Sequence, residues 1–298
     1  MLNPITFLKK PEYFFRPSQA LRRFRRIWHS PQAVETVRLA WGLPVTVHIV
    51  ENVGSDIFYY GVFDLIVPET IYRLADVGET ALDVGANIGQ NCSLMAVKVG
   101  LSGRVIAFEP HPEIFEELMA NANRWPALLT KCIQFENVAL GAEIGEAWLA
   151  DGPEFQHNRG SAAICEPATA AGQTFKVSLR KLDDYLPEST IVGVCKIDVE
   201  GHELSVLKGA TEALSRKAIR DIIFEDFNPM PSPVVKLLQN HGFAIFRLVA
   251  GWLKPSLTPV REGLKPSKGF SYNYLGTLAP QRTLDRFRAA GWRCLMGW

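Results

Sequence analysis

Apolar residues in this chain fall into short runs that alternate between two periods. From residue 80 onward, strand-like runs at 81–84, 105–108, 133–138, 192–198, 222–225 and 244–248 are separated by segments with helical spacing near 89–99, 111–124, 203–215 and 233–241. Such alternation predicts a parallel sheet flanked by helices, because each crossover must return the chain to the same edge. A run at 271–278 reads as a final, antiparallel strand, and 281–290 reads as a closing helix. The expected fold is therefore α/β: a mainly parallel seven-stranded sheet with helices on both faces and an antiparallel final strand.

Before residue 80 the pattern is weaker. Val45, Val47 and Ile49, then Phe58 and Tyr60, alternate within 43–50 and 56–63 and predict a small hairpin or lid. Residues 71–75 read as a short helix leading into the first central strand. The interval 139–191 is long for an α/β connection. It contains two β-like stretches, 145–149 and 175–178, around a Gly/Ala/Ser-rich loop, and it reads as a hairpin serving as a lid. Two regions follow: a basic N-terminal extension with the hairpin or lid (1–55), and a main domain (56–298).

The extension is distinct in charge. Lys9, Lys10, Arg16, Arg22, Arg23, Arg25 and Arg26 face only Glu12 across residues 1–29. Within 18–29, Leu21, Phe24, Ile27 and Trp28 recur at helical spacing with arginines between them. Two readings stand for this segment. It packs on its own domain or across a homodimer, or it is a basic interfacial helix making peripheral membrane contact.

Composition narrows the class. Of 298 residues, 47% are hydrophobic and 21% charged, as in a globular chain. A net charge of +1 gives no global attraction for nucleic acid. Five cysteines, an odd number without a C-x-x-C pair, suggest neither a disulfide framework nor a zinc site. No apolar run approaches the roughly 18 residues of a membrane span, and no signal-peptide core opens the chain. A cytoplasmic location is expected, with the inner membrane face open through 18–29.

The chemistry begins at Ala81-Leu-Asp-Val-Gly-Ala-Asn-Ile-Gly89. An apolar run reaches an acid, turns through glycines and enters a helix, and the next strand ends in a second acid, Glu109. This is the layout of a nucleotide-binding βαβ unit, with Glu109 placed to accept hydrogen bonds from ribose hydroxyls. A dinucleotide site wants glycine at the middle position so that pyrophosphate can meet bare backbone. Asn87 stands there instead, which suits S-adenosylmethionine, a ribose-bearing ligand without phosphate.

A second cluster ends the fourth strand: Lys196-Ile-Asp-Val-Glu-Gly-His-Glu203. Central parallel strands are normally apolar, and their carboxyl ends are where α/β sheets bind ligands. Three readings compete. Lys196 and an acid form a buried pair with Glu203 capping a helix; Asp198, Glu200 and His202 ligate a divalent ion; or one of those three removes a proton from a substrate hydroxyl. The catalytic reading is favoured, with no metal assigned, because an alcohol is a poor nucleophile until a positioned base accepts its proton. Asn228-Pro-Met-Pro resembles the Asn-Pro-Pro-aromatic box of amino-methylating enzymes, but it lacks the aromatic residue and follows a different strand. A proline-rich turn is expected there. Residues 158–161, in the long loop, read equally as ligand-touching or as plain loop.

With both clusters in view, the chain resembles the FkbM-type methyltransferases, S-adenosylmethionine-dependent enzymes of the Rossmann-like class I type. The resemblance spans roughly residues 60–278. It rests on Leu82-Asp-Val-Gly-Ala-Asn-Ile-Gly89, Phe108-Glu-Pro110, Asn137-Val-Ala-Leu140, Leu182-Asp-Asp-Tyr-Leu186 and Lys196-Ile-Asp-Val-Glu-Gly-His-Glu203 with Leu207-Lys-Gly-Ala210. It implies that Asp83, Gly85, Asn87 and Gly89 line the methionine part of the cofactor and that Glu109 holds the ribose. It places Asn137 or Val138 by the adenine, and Asp198 and Glu200 at the reaction centre. It further implies O-methylation of a small-molecule or glycan hydroxyl. Two rivals stand beside it, a nicotinamide-dependent oxidoreductase and a non-catalytic binding protein. Asn87 and the lack of a recognisable Tyr-x-x-x-Lys pair argue against the first. The charged cluster argues against the second.

Overall fold

The computed structural model describes residues 10–16, 32–152, 155, 159–165, 172–260 and 272–296. The basic segment 18–29 lies outside the described residues. The strands are β1 (Val34–Arg38), β2 (Pro44–His48), β3 (Thr80–Val84), β4 (Arg104–Phe108), β5 (Ile133–Glu136), β6 (Ala139–Leu140), β7 (Gly145–Ala150), β8 (Ala163–Cys165), β9 (Thr174–Arg180), β10 (Val192–Ile197), β11 (Ile219–Glu225), β12 (Ala244–Ala250), β13 (Pro255–Pro259) and β14 (Asn273–Thr277). The helices are α1 (Pro11–Phe15), α2 (Asn52–Tyr60), α3 (Ile66–Leu74), α4 (Gln90–Val99), α5 (Pro112–Ala122), α6 (Ala127–Thr130), α7 (Glu203–Lys208), α8 (Thr211–Ser215), α9 (Pro233–Asn240) and α10 (Pro280–Arg288).

The main sheet runs β13-β12-β14-β11-β10-β3-β4-β5. Strands β5, β4, β3, β10 and β11 are mutually parallel, and β14 is antiparallel to both β11 and β12. The final strand is thus antiparallel, as its sequence position suggests. Beyond the seven expected strands, β13 adds an eighth at the edge, paired with β12. It is short and begins and ends in proline, which leaves few N–H groups to recruit another chain.

The central strands are apolar because helices cover both faces. In β10 every residue from Val192 to Ile197 is buried. Leu94, Met95 and Ala96 of α4 are buried in one core, and Val206 and Leu207 of α7 in another.

Three expectations are corrected. Residues 56–63 do not form a strand, since α2 occupies 52–60 and buries Val53, Ile57 and Phe58 at helical spacing. The hairpin partner of β2 is instead β1, with Val37 opposite Val45. The helix expected at 71–75 starts earlier, at Ile66. The interval 139–191 holds a four-stranded sheet, β6-β9-β7-β8, rather than one hairpin. In addition, the helical stretch 203–215 divides into α7 and α8 around Gly209 and Ala210.

The hairpin is tied to the main domain by side chains that reach across it. Asn121 accepts from the Thr46 N–H at 2.8 Å. The indole of Trp125 donates to the Pro44 carbonyl at 2.9 Å, and that of Trp41 to Ser93 Oγ at 3.0 Å.

Candidate active site

At the carboxyl ends of β3, β4, β10 and β11 the sheet opens into a cleft of about 540 Å³, within the usual range of small-ligand sites. Its floor is the turn after β3. Gly85 has φ +81°, and a Cβ there would fall 2.0 Å from the Asp198 carbonyl oxygen. Only glycine fits where the β3 and β10 ends approach this closely. Asn87 is also left-handed, at φ +48°, a conformation asparagine tolerates better than most residues. Gly89, at φ +100°, starts α4, and its missing Cβ makes room for Leu118 and Trp125.

Glu109, at the end of β4, is buried. One carboxylate oxygen accepts from the Asn87 N–H at 2.8 Å and the other from the His111 N–H at 2.9 Å. Burial pushes its carboxyl up to about 7, partly offset by those two N–H groups. Each oxygen keeps lone-pair capacity for a further donor.

Lys196 enters the floor from β10. Its ammonium donates to the Gly85 carbonyl at 2.6 Å and stands 3.4 Å from both Asp83 and Asp198. Burial alone would lower the Lys196 pKa; Asp198 and Asp83 outweigh it and hold it above the usual lysine value. Asp83 is raised by burial, with Lys196 opposing. This pair therefore sits beneath the cleft and links β3 to β10.

After β10 the chain turns through two left-handed residues, Glu200 at φ +51° and Gly201 at φ +93°. Glu203 braces the turn, accepting from the Val199 and Gly201 N–H groups at 3.2 Å each. Such strain in a non-glycine residue is typical of functional sites. Burial, then Asp198 and Glu203, push the Glu200 carboxyl up to about 7. No hydrogen bond among the described residues holds that carboxyl. The His202 Nε2 atom is buried and likewise without a partner among the described residues. Burial lowers its pKa, which leaves a neutral imidazole at pH 7.

Among the residues expected from sequence, Gly85, Asn87, Glu109, Val138, Asp198, Glu200 and His202 line one cleft. Asp83, Gly89 and Asn137 do not. Asp83 is fully buried against Lys196, and Gly89 packs on Leu118 and Trp125. Asn137 donates to the Glu109 and Pro110 carbonyls at 2.8 and 3.2 Å, which fixes the connection after β4. Among the described residues, no three His, Cys, Asp or Glu side chains converge as a metal site. Asp226 accepts from the backbone and side-chain nitrogens of Asn228, both at 2.9 Å, and so leads into the turn expected at 228–231.

Two further acidic residues join the wall: Asp64, which no sequence pattern marks, and Glu225, whose place at the end of a strand run puts it at the carboxyl edge. Asp64 accepts from Asn273 at 2.7 Å, and burial is the main cause that raises its carboxyl to about 6. Glu225, at the end of β11, is pushed up to about 8 by burial and then by Asp198 and Glu200. Gln90 holds the Asp64 segment in place by bonding both the N–H and the C=O of Phe63, at 2.7 and 3.0 Å. Over the opposite side, Arg159 of the inserted region lines the cleft and ion-pairs with Glu117 of α5.

Residues 83–245 match the family model of the methyltransferase FkbM domain. The chain is 31% identical over 192 residues to the hexuronic acid methyltransferase AglP of Haloferax volcanii, spanning 59% of this chain and 70% of that protein. It is 29% identical over 241 residues to the 31-O-demethyl-FK506 methyltransferase FkbM of Streptomyces tacrolimicus, spanning 71% and 90% of the two chains. It is 25% identical over 259 residues to the methyltransferase sdnD of Sordaria araneosa, spanning 76% and 94%.

Proposed function

The chain belongs to the FkbM methyltransferase family, and from that premise we propose that it methylates oxygen, on a hydroxyl of a carbohydrate or secondary metabolite. It is a methyltransferase that uses S-adenosylmethionine, which sets aside the nicotinamide-dependent reading. The activities named for two relatives support the finer reading. One acts on a hexuronic acid, and the name of the other places its methyl on oxygen.

The observation that carries the proposal is the pairing of two sub-sites in one cleft. On one side, Glu109 faces the glycine turn with acceptor capacity to spare. On the other stand the Glu200 carboxyl, which no hydrogen bond among the described residues holds, and the neutral imidazole of His202, whose Nε2 is buried beside Gly141 without a partner among the described residues. The cofactor supplies an electrophilic methyl on a sulfonium centre. Glu109 would bind its ribose hydroxyls, the bare Gly85 turn with Asn87 would hold the methionine portion, and Val138 would pack by the adenine. Glu200 or His202 would accept the acceptor hydroxyl's proton as its oxygen takes the methyl and the methyl–sulfur bond breaks to release the thioether, while Lys196 holds Asp198 in position. The rest of the rate enhancement is alignment of oxygen with methyl.

The test is a product assay. The protein, the donor and a panel of neutral glycosides, uronic acids, polyketide alcohols and amines are incubated together, and the methyl position is fixed by NMR of the product. An O-methyl ether or ester supports the proposal. Methyl found only on nitrogen or carbon overturns it.

A further inference from the structure

We propose that Phe14, Trp252, Leu253 and Met296 form a docking surface for an anionic lipid bilayer, set on the edge of the sheet where the cleft opens. The surface is independent of which acceptor the enzyme methylates. All four side chains are more than half or about half exposed, at 55%, 50%, 53% and 56%. They are contiguous. The Phe14 and Trp252 rings lie 5.0 Å apart. Gly291 donates to the Leu253 carbonyl at 3.0 Å, and a Cβ built on Gly291 would touch Met296 and Phe15. Isolated exposed apolar residues need no explanation, but four together on one face do.

Its position follows from topology. Strand β12 is antiparallel to β14, which is antiparallel to β11, so β12 runs parallel to β10 and β11. Its last residue, Ala250, therefore ends on the same edge as Ile197 and Glu225, roughly 10 Å from β11 by strand spacing. Trp252 and Leu253 lie just beyond that end. Phe14 reaches the patch from α1, whose Tyr13 packs edge-on against Tyr60 of α2 at 5.4 Å. Val53 and Asp56 of that helix line the cleft. A bilayer seated on the patch would thus lie beside the cleft mouth.

Charge selects the occupant. Lys10, Lys254, Arg288 and Arg293 are exposed around the patch, and of these Arg288 is paired with Asp285 at 2.9 Å. A second copy of this chain meeting the patch across a two-fold axis would set these cations against their own copies, which is unfavourable. Anionic headgroups instead match the cationic rim, while tryptophan and phenylalanine suit the boundary between headgroup and acyl chain.

The experiment is flotation of the full chain with phosphatidylcholine vesicles, with and without phosphatidylglycerol. Brominated acyl chains serve as quenchers of tryptophan fluorescence. The intact protein should float with phosphatidylglycerol vesicles at low salt, be quenched, and release at high salt. The paired substitution Trp252→Ser with Leu253→Ser should weaken binding about tenfold or more without moving the melting temperature, and Phe14→Ser should weaken it in the same direction. Failure of the intact protein to bind anionic vesicles at low salt would overturn the proposal. So would binding that survives both variants and is lost only on deleting residues 1–31. A dimer in sedimentation that Trp252→Ser with Leu253→Ser dissociates would assign the patch to a second copy instead.

Discussion

The ammonium of Lys196 donates a 2.6 Å hydrogen bond to the carbonyl of Gly85, joining β10 to the glycine turn after β3. The same ammonium faces Asp83, which is fully buried, at 3.4 Å. Removing the cation strands a carboxylate in the core. Lys196→Met should therefore destabilise the fold by about 3–5 kcal/mol, and adding Asp83→Asn should recover a large part of that loss. Denaturant titration of both variants checks this. A single variant as stable as the parent would show that the pair does not hold the turn.

Glu200 should govern the low-pH limb of activity. Its carboxyl is raised to about 7 by burial and by Asp198 and Glu203, so the proton-accepting form is populated only as pH rises through that value. Turnover should increase over the same window, and Glu200→Gln should lower turnover and flatten the limb while cofactor affinity stays within a few fold. Initial rates across pH, with direct binding of S-adenosylhomocysteine, separate the two effects. An unchanged pH profile in Glu200→Gln would pass the role to His202.

Glu225 should make the apo protein less stable in alkali. Burial, Asp198 and Glu200 raise its carboxyl from 4.5 to about 8. The folded state then keeps a proton that the unfolded chain releases, so stability is full below the unfolded value and is lost as pH rises through the folded one. Glu225→Gln removes this loss. The variant should have the higher melting temperature at about pH 9 and a flatter dependence between about pH 5 and 9. A parent whose melting temperature does not fall over that range would contradict the argument.

What the sequence made legible follows from how locally each feature is determined. The glycine turn is readable because backbone geometry demands it. Gly85 could not carry a Cβ 2.0 Å from the Asp198 carbonyl, whereas Gly145 has nothing within 4 Å and no such demand. The parallel strands are readable because burial on both faces makes them continuously apolar. The 56–63 segment reads as a strand because Phe58 and Tyr60 satisfy a two-residue period, but Val53 and Ile57 share a helical face, and packing of that face makes it a helix. Asp64 and Asn273 meet only through the fold, 209 residues apart in sequence, so no local pattern marks either. Asp83, Gly89 and Asn137 show a further limit. A motif places a residue near a cleft without fixing whether its side chain lines it.

Calorimetric titration of S-adenosylhomocysteine into the parent and Glu109→Ala tests the central claim most directly, that the β4 acid holds the ribose in the cleft at the carboxyl edge. Charge-assisted hydrogen bonds of this kind are worth about 1.5–3 kcal/mol. The variant, folded by circular dichroism, should therefore bind more than tenfold more weakly. Because burial raises the Glu109 carboxyl to about 7, the parent's affinity should also fall as pH drops through that value, and the variant's should not. Equal affinity in the two proteins at neutral pH would contradict the assignment of the cleft.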